Sequence, residues 1–129
     1  MVCSCSKSSG KFNYSSSANW KDKKANHSIS ELGSHLIFWN QGQLLAFKED
    51  SLPYFTNDNE ITFNILKNQD WLNAIKILDS IQTTWVQVIK HASEEQLEKW
   101  SAEIANLCAH NAYHTGQIVY IRKQNDWWE

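Results

Sequence analysis

Apolar side chains recur at steps of three and four residues in three long stretches of the chain, a spacing typical of amphipathic α-helices. The first stretch opens at Ser28, and Glu31 stands three residues later, as in a capping box that satisfies free backbone donors. The sequence therefore predicts a helix from Ser28 to about Lys48 with one stripe facing the core. That stripe consists of Ile29, Leu32, Leu36, Trp39, Gln43 and Phe47.

The second stretch predicts a helix with a structural role. After a connection marked by Pro53 and the polar run 57–60, the helix is expected from about Asn68 or Asp70 to about Lys90. Its apolar face contains no ionisable residue, which indicates packing rather than chemistry. The face consists of Trp71, Ala74, Ile75, Leu78, Ile81, Trp85 and Val88.

The third stretch is the longest. It opens at Ser93, with Gln96 three residues later as a second capping box, and it extends to about Gln124. The apolar positions are Leu97, Trp100, Ile104, Leu107, Ile118 and Ile121. This length allows either one long helix or a short helix followed by a bend and a longer one.

Composition agrees with an all-helical domain. Only 4 glycines and 1 proline occur in 129 residues, too few for the frequent turns of a β-sandwich or of alternating strands and helices. At this length, and with 42% hydrophobic residues, the chain holds one domain with one core. Residues 1–20 are rich in serine and lack a helical period, so we expect an irregular N-terminal segment there and a helical-bundle domain over 21–129.

The charge balance limits the partners. With 12 Lys and Arg against 14 Asp and Glu, the formal net charge is -2, which disfavours broad electrostatic binding to nucleic acid. No apolar run reaches the ~18 to 20 residues of a membrane-spanning helix, and the N-terminus lacks the apolar segment of a secretory signal. Three cysteines, Cys3, Cys5 and Cys108, are an odd number and indicate no disulfide framework. The sequence predicts a soluble, cytoplasmic protein with neither a nucleic-acid nor a membrane partner.

The candidate chemistry lies with the histidines. His110 and His114 are four residues apart on the core-facing stripe of the last helix, so both imidazoles can reach one ion. His35 lies at the core edge of the first helix and can complete a set of three nitrogens that suits zinc, nickel, copper or iron. Water or hydroxyl groups are the alternative partners for these rings. Gln117 shares the face of His114 and is expected either to orient a ligand or to make a hydrogen bond at the core edge.

Residues near the histidines receive structural interpretations. His27 and His91 are expected to be solvated. Cys108 is expected to be a small buried side chain, and Gly116 to allow the close approach of a neighbouring helix. Tyr113 is expected to line the mouth of a pocket or to pack on an exposed surface.

Two segments resemble the signature segments of a known family. HSISELGSHLIFW at 27–39 and LCAHNAYHTGQIVYIRKQ at 107–124 are similar to those of the DinB-like superfamily, which contains damage-inducible proteins and bacillithiol transferases. The resemblance covers residues from about 20 to 128 and implies an up-and-down four-helix bundle. It also implies one divalent metal ion bound by three histidines. The positions that match the family pattern are His35, His110, His114, Gly116 and Gln117.

One departure from the family pattern concerns the N-terminus. Members begin with a full helix before the segment that corresponds to Ser28, whereas residues 1–20 here are aperiodic. A bundle without that helix leaves an apolar groove uncovered, and a second copy of the chain is the simplest cover, so we expect a homodimer. The alternative is that Phe12, Tyr14 and Trp20 fold back as a substitute lid.

The resemblance implies a metal-dependent enzyme that acts on a small-molecule substrate. In the thiol-transferase branch, a divalent metal such as Zn, Ni or Fe activates the thiol of a small cofactor, such as bacillithiol, for attack on an electrophile. Metal-assisted hydrolysis is the alternative reaction. A third hypothesis, of a different class, is a non-catalytic dimeric or truncated helical-bundle module whose histidines are vestigial. The residues alone do not choose among these hypotheses.

Overall fold

The computed structural model describes residues 16–24, 27–52, 58–64 and 71–127. The described residues form helices and turns and contain no β-strand, which confirms the all-α prediction. The elements, in chain order, are α1 (Ile29–Lys48), a 3-10 helix (Asn59–Asn64), α2 (Trp71–His91) and α3 (Glu94–Gln124). In this part of the chain no helix is both long enough and apolar enough to cross a membrane.

α1 is capped at both ends. The hydroxyl of Ser28 accepts a hydrogen bond from the Glu31 amide at 3.2 Å, and the Glu31 carboxylate accepts one from the Ser28 amide at 2.7 Å, so the predicted capping box is confirmed. At the other end Asp50 has a φ of 50°, in the left-handed region. Its carboxylate accepts hydrogen bonds from Trp100 and Lys99 of α3. The end of α1 is thereby attached to the start of α3.

α3 is one continuous helix of 31 residues, so the alternative of a short helix followed by a bend is wrong. The reason lies in its composition, because the segment contains no proline and its one glycine is Gly116. At its start only half of the second capping box forms. The Ser93 hydroxyl accepts a hydrogen bond from the Gln96 amide at 3.1 Å, but the Gln96 side chain donates to the carbonyl oxygen of Phe47 in α1 instead.

The main core lies between α1, α2 and the first half of α3. α1 packs against both other helices and against the 3-10 helix. The ring centroid of Phe47 lies 5.4 Å from that of Trp85 and 5.3 Å from that of Trp100. The indole N–H of Trp85 donates to the Asn40 carbonyl oxygen at 3.0 Å, so this buried polar atom is satisfied. The buried apolar residues of this core are Ile37, Leu44, Phe47, Ala74, Ile81, Trp85 and Trp100.

A smaller apolar cluster lies at the opposite end of α1. Its buried members are Ile29, Leu32, Phe63 and Ile121. Residues 16–19 form a turn, and the carbonyl oxygen of the fully buried Ala18 accepts a hydrogen bond from the Ser30 amide at 2.8 Å. Trp20 packs edge-on against Trp127, with 5.8 Å between the ring centroids. The described end of the Ser-rich segment therefore packs against the bundle.

Two sequence-based interpretations of small residues, those of Gly116 and Cys108, are corrected by the packing. Among the described residues, nothing lies within 4 Å of the position that a Cβ on Gly116 would occupy, so the expected close helix approach there is wrong. Gly33 provides such an approach instead, because a Cβ there would lie 2.5 Å from the ring of Trp71 in α2. Cys108 is exposed rather than buried. It directly follows Leu107 and is therefore rotated by about 100° from the core-facing stripe.

Two neighbouring apolar cavities lie between α2 and α3, and residues of α1 also line them. Their volumes are about 350 and 300 Å³, and Gln82 borders both. The uncovered groove and the homodimer expected from the sequence stay predictions. The start of α2 near Asn68 and Asp70, and the alternative cover by Phe12 and Tyr14, lie outside the described residues.

Candidate metal centre

Three histidines meet where α1 and α3 pack together. His35 comes from the middle of α1, and His110 and His114 come from successive turns of α3. One ring nitrogen from each histidine lies within 4.8 Å of the corresponding nitrogens of the other two. His35 is 2% exposed and His114 is 8% exposed, whereas His110 is half-buried. The structure thus brings together the three residues that the sequence pattern singled out.

The spacing of the three rings is compatible with one metal ion. Nε2 of His35 and Nε2 of His110 are 2.8 Å apart, and the ring centroids of the three pairs are 4.5, 4.6 and 4.8 Å apart. In a tetrahedral zinc site with bonds of about 2.0–2.1 Å, the ligand nitrogens are about 3.3 Å apart. Shifts of about 1.5 Å or less would therefore close the three nitrogens around one ion. The donor set fits a divalent metal.

The 3-10 helix sets the tautomer of His35. The Thr62 hydroxyl donates its proton to the Asn59 carbonyl oxygen at 2.6 Å, so toward His35 the hydroxyl oxygen acts as an acceptor. His35 Nδ1 lies 2.5 Å from that oxygen and therefore carries the proton of this hydrogen bond. The lone pair of the neutral ring is consequently on Nε2, the atom that faces His110.

Gln117 sets the tautomer of His114 in the same way. Its side-chain oxygen lies 2.6 Å from His114 Nδ1, and a carbonyl oxygen can only accept a hydrogen bond. His114 Nδ1 therefore carries a proton, and the lone pair of the neutral ring is on Nε2. The sequence left open whether Gln117 orients a ligand or makes an ordinary hydrogen bond at the core edge. Its observed partner is the histidine itself, the type of contact that orients metal-binding imidazoles.

Burial keeps the imidazoles of His35 and His110 neutral. Burial, together with the nearby His114 and His110, lowers the pKa of His35 to about 3. Burial and the proximity of His114 also lower the pKa of His110. The neutral ring is the form that binds a metal ion, so both side chains are ready for coordination near pH 7. Nδ1 of His110 is buried and, within the described ranges, has no hydrogen-bond partner.

Phe63 of the 3-10 helix lies between two imidazoles. Its ring is parallel to that of His35, with centroids 4.1 Å apart, and to that of His27, at 3.6 Å. His27 is half-buried and lies 3.6 Å from the Glu31 carboxylate, so the expectation that it is solvated is wrong. His91 is exposed, as expected. The stack covers one side of the His35 ring with aromatic carbon.

An amide cluster joins the helices next to His110. Asn40 and Asn111 each donate a hydrogen bond to the side-chain oxygen of the other at 2.8 Å, and Gln82 of α2 donates to Asn40 at 2.9 Å. Asn40 is fully buried. Because Asn111 directly follows His110, this pairing sets the rotation and depth of the segment of α3 that carries the histidines.

The histidines form one side of a cavity of about 400 Å³. The cavity is also lined by Trp39, Gln43, Asn59, Phe63, Glu103, Asn106, Leu107 and Tyr113. Tyr113 is both a lining residue and 65% exposed, so the two interpretations offered for it describe the same position. A cavity of this size beside the donor atoms has room for a small molecule.

Sequence reasoning missed three residues of this site. Thr62 and Phe63 follow a polar run that was interpreted as a plain connection, and a short 3-10 helix has no amphipathic period long enough to detect. Glu103 left a detectable signal. It stands three residues after Trp100 and four before Leu107, so an ionisable side chain occupies the core-facing stripe of α3.

Comparisons of the chain with protein-family models, with curated proteins and with solved structures found no match. The resemblance of segments 27–39 and 107–124 to the DinB-like superfamily therefore stays a prediction. The structure itself establishes an all-helical bundle in which three histidines converge.

Proposed function

We propose that this protein is a metal-dependent enzyme that binds one divalent cation through Nε2 of His35, His110 and His114. The observation that carries the proposal is the convergence of three imidazoles in which Thr62 and Gln117 leave two of the lone pairs on Nε2. Imidazoles that serve only as packing groups have their nitrogens satisfied by other atoms of the chain. Here Nε2 of His35 and Nε2 of His110 have only each other as partners, at 2.8 Å, and the buried Nδ1 of His110 has no partner among the described residues.

Each residue around the site has a separate task. The three histidines hold the ion, Thr62 and Gln117 fix their orientation, and the aromatic rings of Phe63 and Trp39 exclude water. A bound Zn, Ni or Fe ion supplies a Lewis acid that favours the deprotonated form of a coordinating thiol or water near neutral pH. Three protein ligands leave a coordination position for that group, and the adjoining cavity receives a small-molecule substrate.

The reaction that we favour is the transfer of a small thiol, such as bacillithiol, to an electrophilic substrate. Its support is the resemblance of the segments around His35 and His110 to the thiol-transferase branch of the DinB-like superfamily. The thiol would occupy the position that the three imidazoles leave open, and the electrophile would occupy the cavity. Hydrolysis of the electrophile by water in that position is the competing outcome of the assay described below.

Metal binding is tested by titrating the tag-free, metal-stripped protein with Co²⁺ and Zn²⁺. We expect one equivalent to bind and to raise the melting temperature, because a ligand that binds only the folded state stabilises it. His35→Ala, His110→Ala and His114→Ala should each lower the affinity by at least about 100-fold, more than the loss of a partner behind the ligands costs. His91→Ala, an exposed histidine of α2, is the matched control and should bind as the wild type does. Full metal occupancy in any of the first three variants removes that residue from the site.

The reaction is tested with the metal-loaded protein, a chromogenic aryl halide and a panel of small thiols. If the reaction is thiol transfer, halide is released only when both the thiol and the metal are present. His114→Ala should abolish this release. Turnover of an aryl ester without added thiol would assign the protein to the hydrolases. If the loaded protein binds one metal ion and neither reaction exceeds the rate of the metal-free protein, the enzymatic assignment is wrong.

A further inference from the structure

Among the described residues that line the histidine cavity, Glu103 is the one acidic side chain. It lies on α3 seven residues before His110, which is two helical turns and about 10 Å along the helix axis. A seven-residue step returns to nearly the same face of a helix, so the carboxylate and the imidazole lie on one side of α3. The cavity therefore has a nitrogen-donor end and a carboxylate end.

The Glu103 carboxylate is not used by the fold. The side chain is half-buried and, in the part of the chain that the structure describes, forms no ion pair or hydrogen bond. The cation nearest to it in the helical register is Lys99, four residues earlier. The Lys99 ammonium instead donates to the carbonyl oxygen of Asp50 at 2.8 Å and to its carboxylate at 3.1 Å. A half-buried carboxylate without a partner can be stabilised by a ligand of opposite charge.

The remaining lining favours the same kind of ligand. Trp39 and Tyr113 contribute aromatic rings, and Gln43 and Asn59 contribute uncharged amides. Phe63 contributes only the edge of its ring, because both of its faces are stacked on His27 and His35. Among the described residues that line the cavity there is no lysine or arginine. Aromatic faces carry negative electrostatic potential and attract organic cations, most strongly where water is displaced. The described lining therefore offers the Glu103 carboxylate to an ammonium group and offers aromatic rings to an apolar portion of the same ligand.

We infer that Glu103 determines specificity and that the substrate of this cavity carries an ammonium group. The inference rests on the proposed function, because it assigns the cavity beside the histidines as the substrate site. The ammonium group binds at Glu103 and an apolar portion packs against the aromatic rings. The reacting group then lies about 10 Å away, beside the histidines, so the substrate is an elongated amine rather than a compact one.

The test uses benzyltrimethylammonium, a cation with an aromatic ring and no lone pair, which cannot bind the metal. Its dissociation constant is measured by calorimetry on the metal-loaded protein and on the metal-stripped protein. Glu103→Gln should weaken binding about tenfold, as expected for removal of one partly desolvated charge partner. Glu103→Asp should restore part of the affinity, and Glu98→Gln, which removes an exposed carboxylate of the same helix, should leave it unchanged.

The outcomes separate this inference from the proposed function. If the cation does not bind the wild type at millimolar concentration, or if Glu103→Gln binds it within twofold of the wild type, the inference is wrong. Metal stoichiometry, measured on the same samples, is unaffected by Glu103→Gln and reports on the histidines alone. If the wild type binds no metal, the proposed function fails, and the titration of the metal-stripped protein still decides whether Glu103 binds the cation.

Discussion

Two regions in which residues of other helices pack against α1 differ in how their buried polar atoms are satisfied. At one end, Trp85 and Trp100 pack around Phe47, and each indole N–H donates to an oxygen of α1 or of the turn after it. At the other end, His35 and His110 pack as closely, yet their Nε2 atoms face each other. Buried polar atoms normally find partners within the chain. The buried Nδ1 of His110 has no hydrogen-bond partner among the described residues, and this difference separates the candidate site from the core.

The boundary between the two regions is the amide cluster of Asn40, Asn111 and Gln82. The hydrogen bonds among these three side chains link all three α-helices. On the core side of this boundary we expect mutations to change stability and leave metal affinity almost unchanged. On the histidine side we expect mutations to lower metal affinity and to leave stability almost unchanged.

The largest expected effect is that of Trp85→Ala, which empties the centre of the core. Trp85 is 6% exposed, and truncation of a buried aromatic residue costs about 3–5 kcal/mol because it leaves a cavity. The free energy of unfolding is measured by urea titration. The neighbouring Val86→Ala is the control, because Val86 is 52% exposed and should change stability by less than about 0.5 kcal/mol. A loss below about 1 kcal/mol for Trp85→Ala would show that this face of α2 is not core.

The second prediction tests the histidine side through Thr62→Val. Valine has the shape of threonine but cannot accept the proton of His35 Nδ1, so the tautomer of that ring is no longer fixed. Metal affinity should fall about 10–100-fold, as is typical when the partner behind a ligating histidine is lost. Thr84→Val is the matched control, because the Thr84 hydroxyl bonds only to the carbonyl oxygen of Ser80 within α2. Equal metal affinity in the two variants would mean that Thr62 does not orient the site.

The third prediction concerns the pH dependence of the metal-stripped protein. The pKa of His35 is about 3 in the folded state against 6.5 for a free histidine, so between these values the unfolded chain binds the proton and the folded protein does not. Stability is then fully present above pH 6.5 and is lost as the pH falls toward 3, by up to about 1.4 kcal/mol per pH unit for this one group. Urea titrations at pH 7, 6, 5 and 4 measure the slope.

The control for the pH experiment is His35→Gln, which removes this titrating group and should reduce the slope. The part that remains is expected from His110, whose pKa is also lowered by burial. His91→Gln removes an exposed histidine and should leave the slope as in the wild type. A stability that stays constant between pH 7 and pH 5 in the wild type would contradict the burial of a neutral His35.

The smallest expected effect compares two helix caps. Ser28→Ala and Ser93→Ala each remove one hydroxyl that accepts a hydrogen bond from a backbone amide, and the backbone amide of residue 28 keeps its bond to the Glu31 carboxylate. The Ser28 cap is part-buried and the Ser93 cap is exposed, so the amide left without an acceptor is less accessible to water at Ser28. Loss of a serine cap costs about 1 kcal/mol, and we expect Ser28→Ala to exceed Ser93→Ala by a few tenths. Urea titrations of both variants at pH 7 check this order. A larger loss for Ser93→Ala would mean that burial of the Ser28 cap adds nothing to its cost.

The parts of the fold that were predictable are those with a long repeat. The period of apolar residues places α1 and the end of α3 within a residue or two, and the spacing of His110 and His114 assigns them to one face. A contact that one residue makes with a distant segment produces no periodic pattern in the sequence. The stacking of Phe63 between His27 and His35, and the approach of Trp71 to Gly33, depend on how elements meet in space. These contacts could not be derived from spacing.

The unbroken length of α3 has a consequence for how the sequence can vary. One continuous helix carries Trp100, Glu103, His110, His114 and Ile121. Each residue inserted into this helix therefore rotates all later side chains by about 100° about the helix axis. One extra residue between Trp100 and His110 would leave the core anchored and turn both histidines out of the interface. Seven extra residues would return both histidines to within about 20° of their present direction and would move the site two turns further from the core. The separation between core and site can therefore change only by insertions close to a whole number of helical turns, such as about seven or about eleven residues.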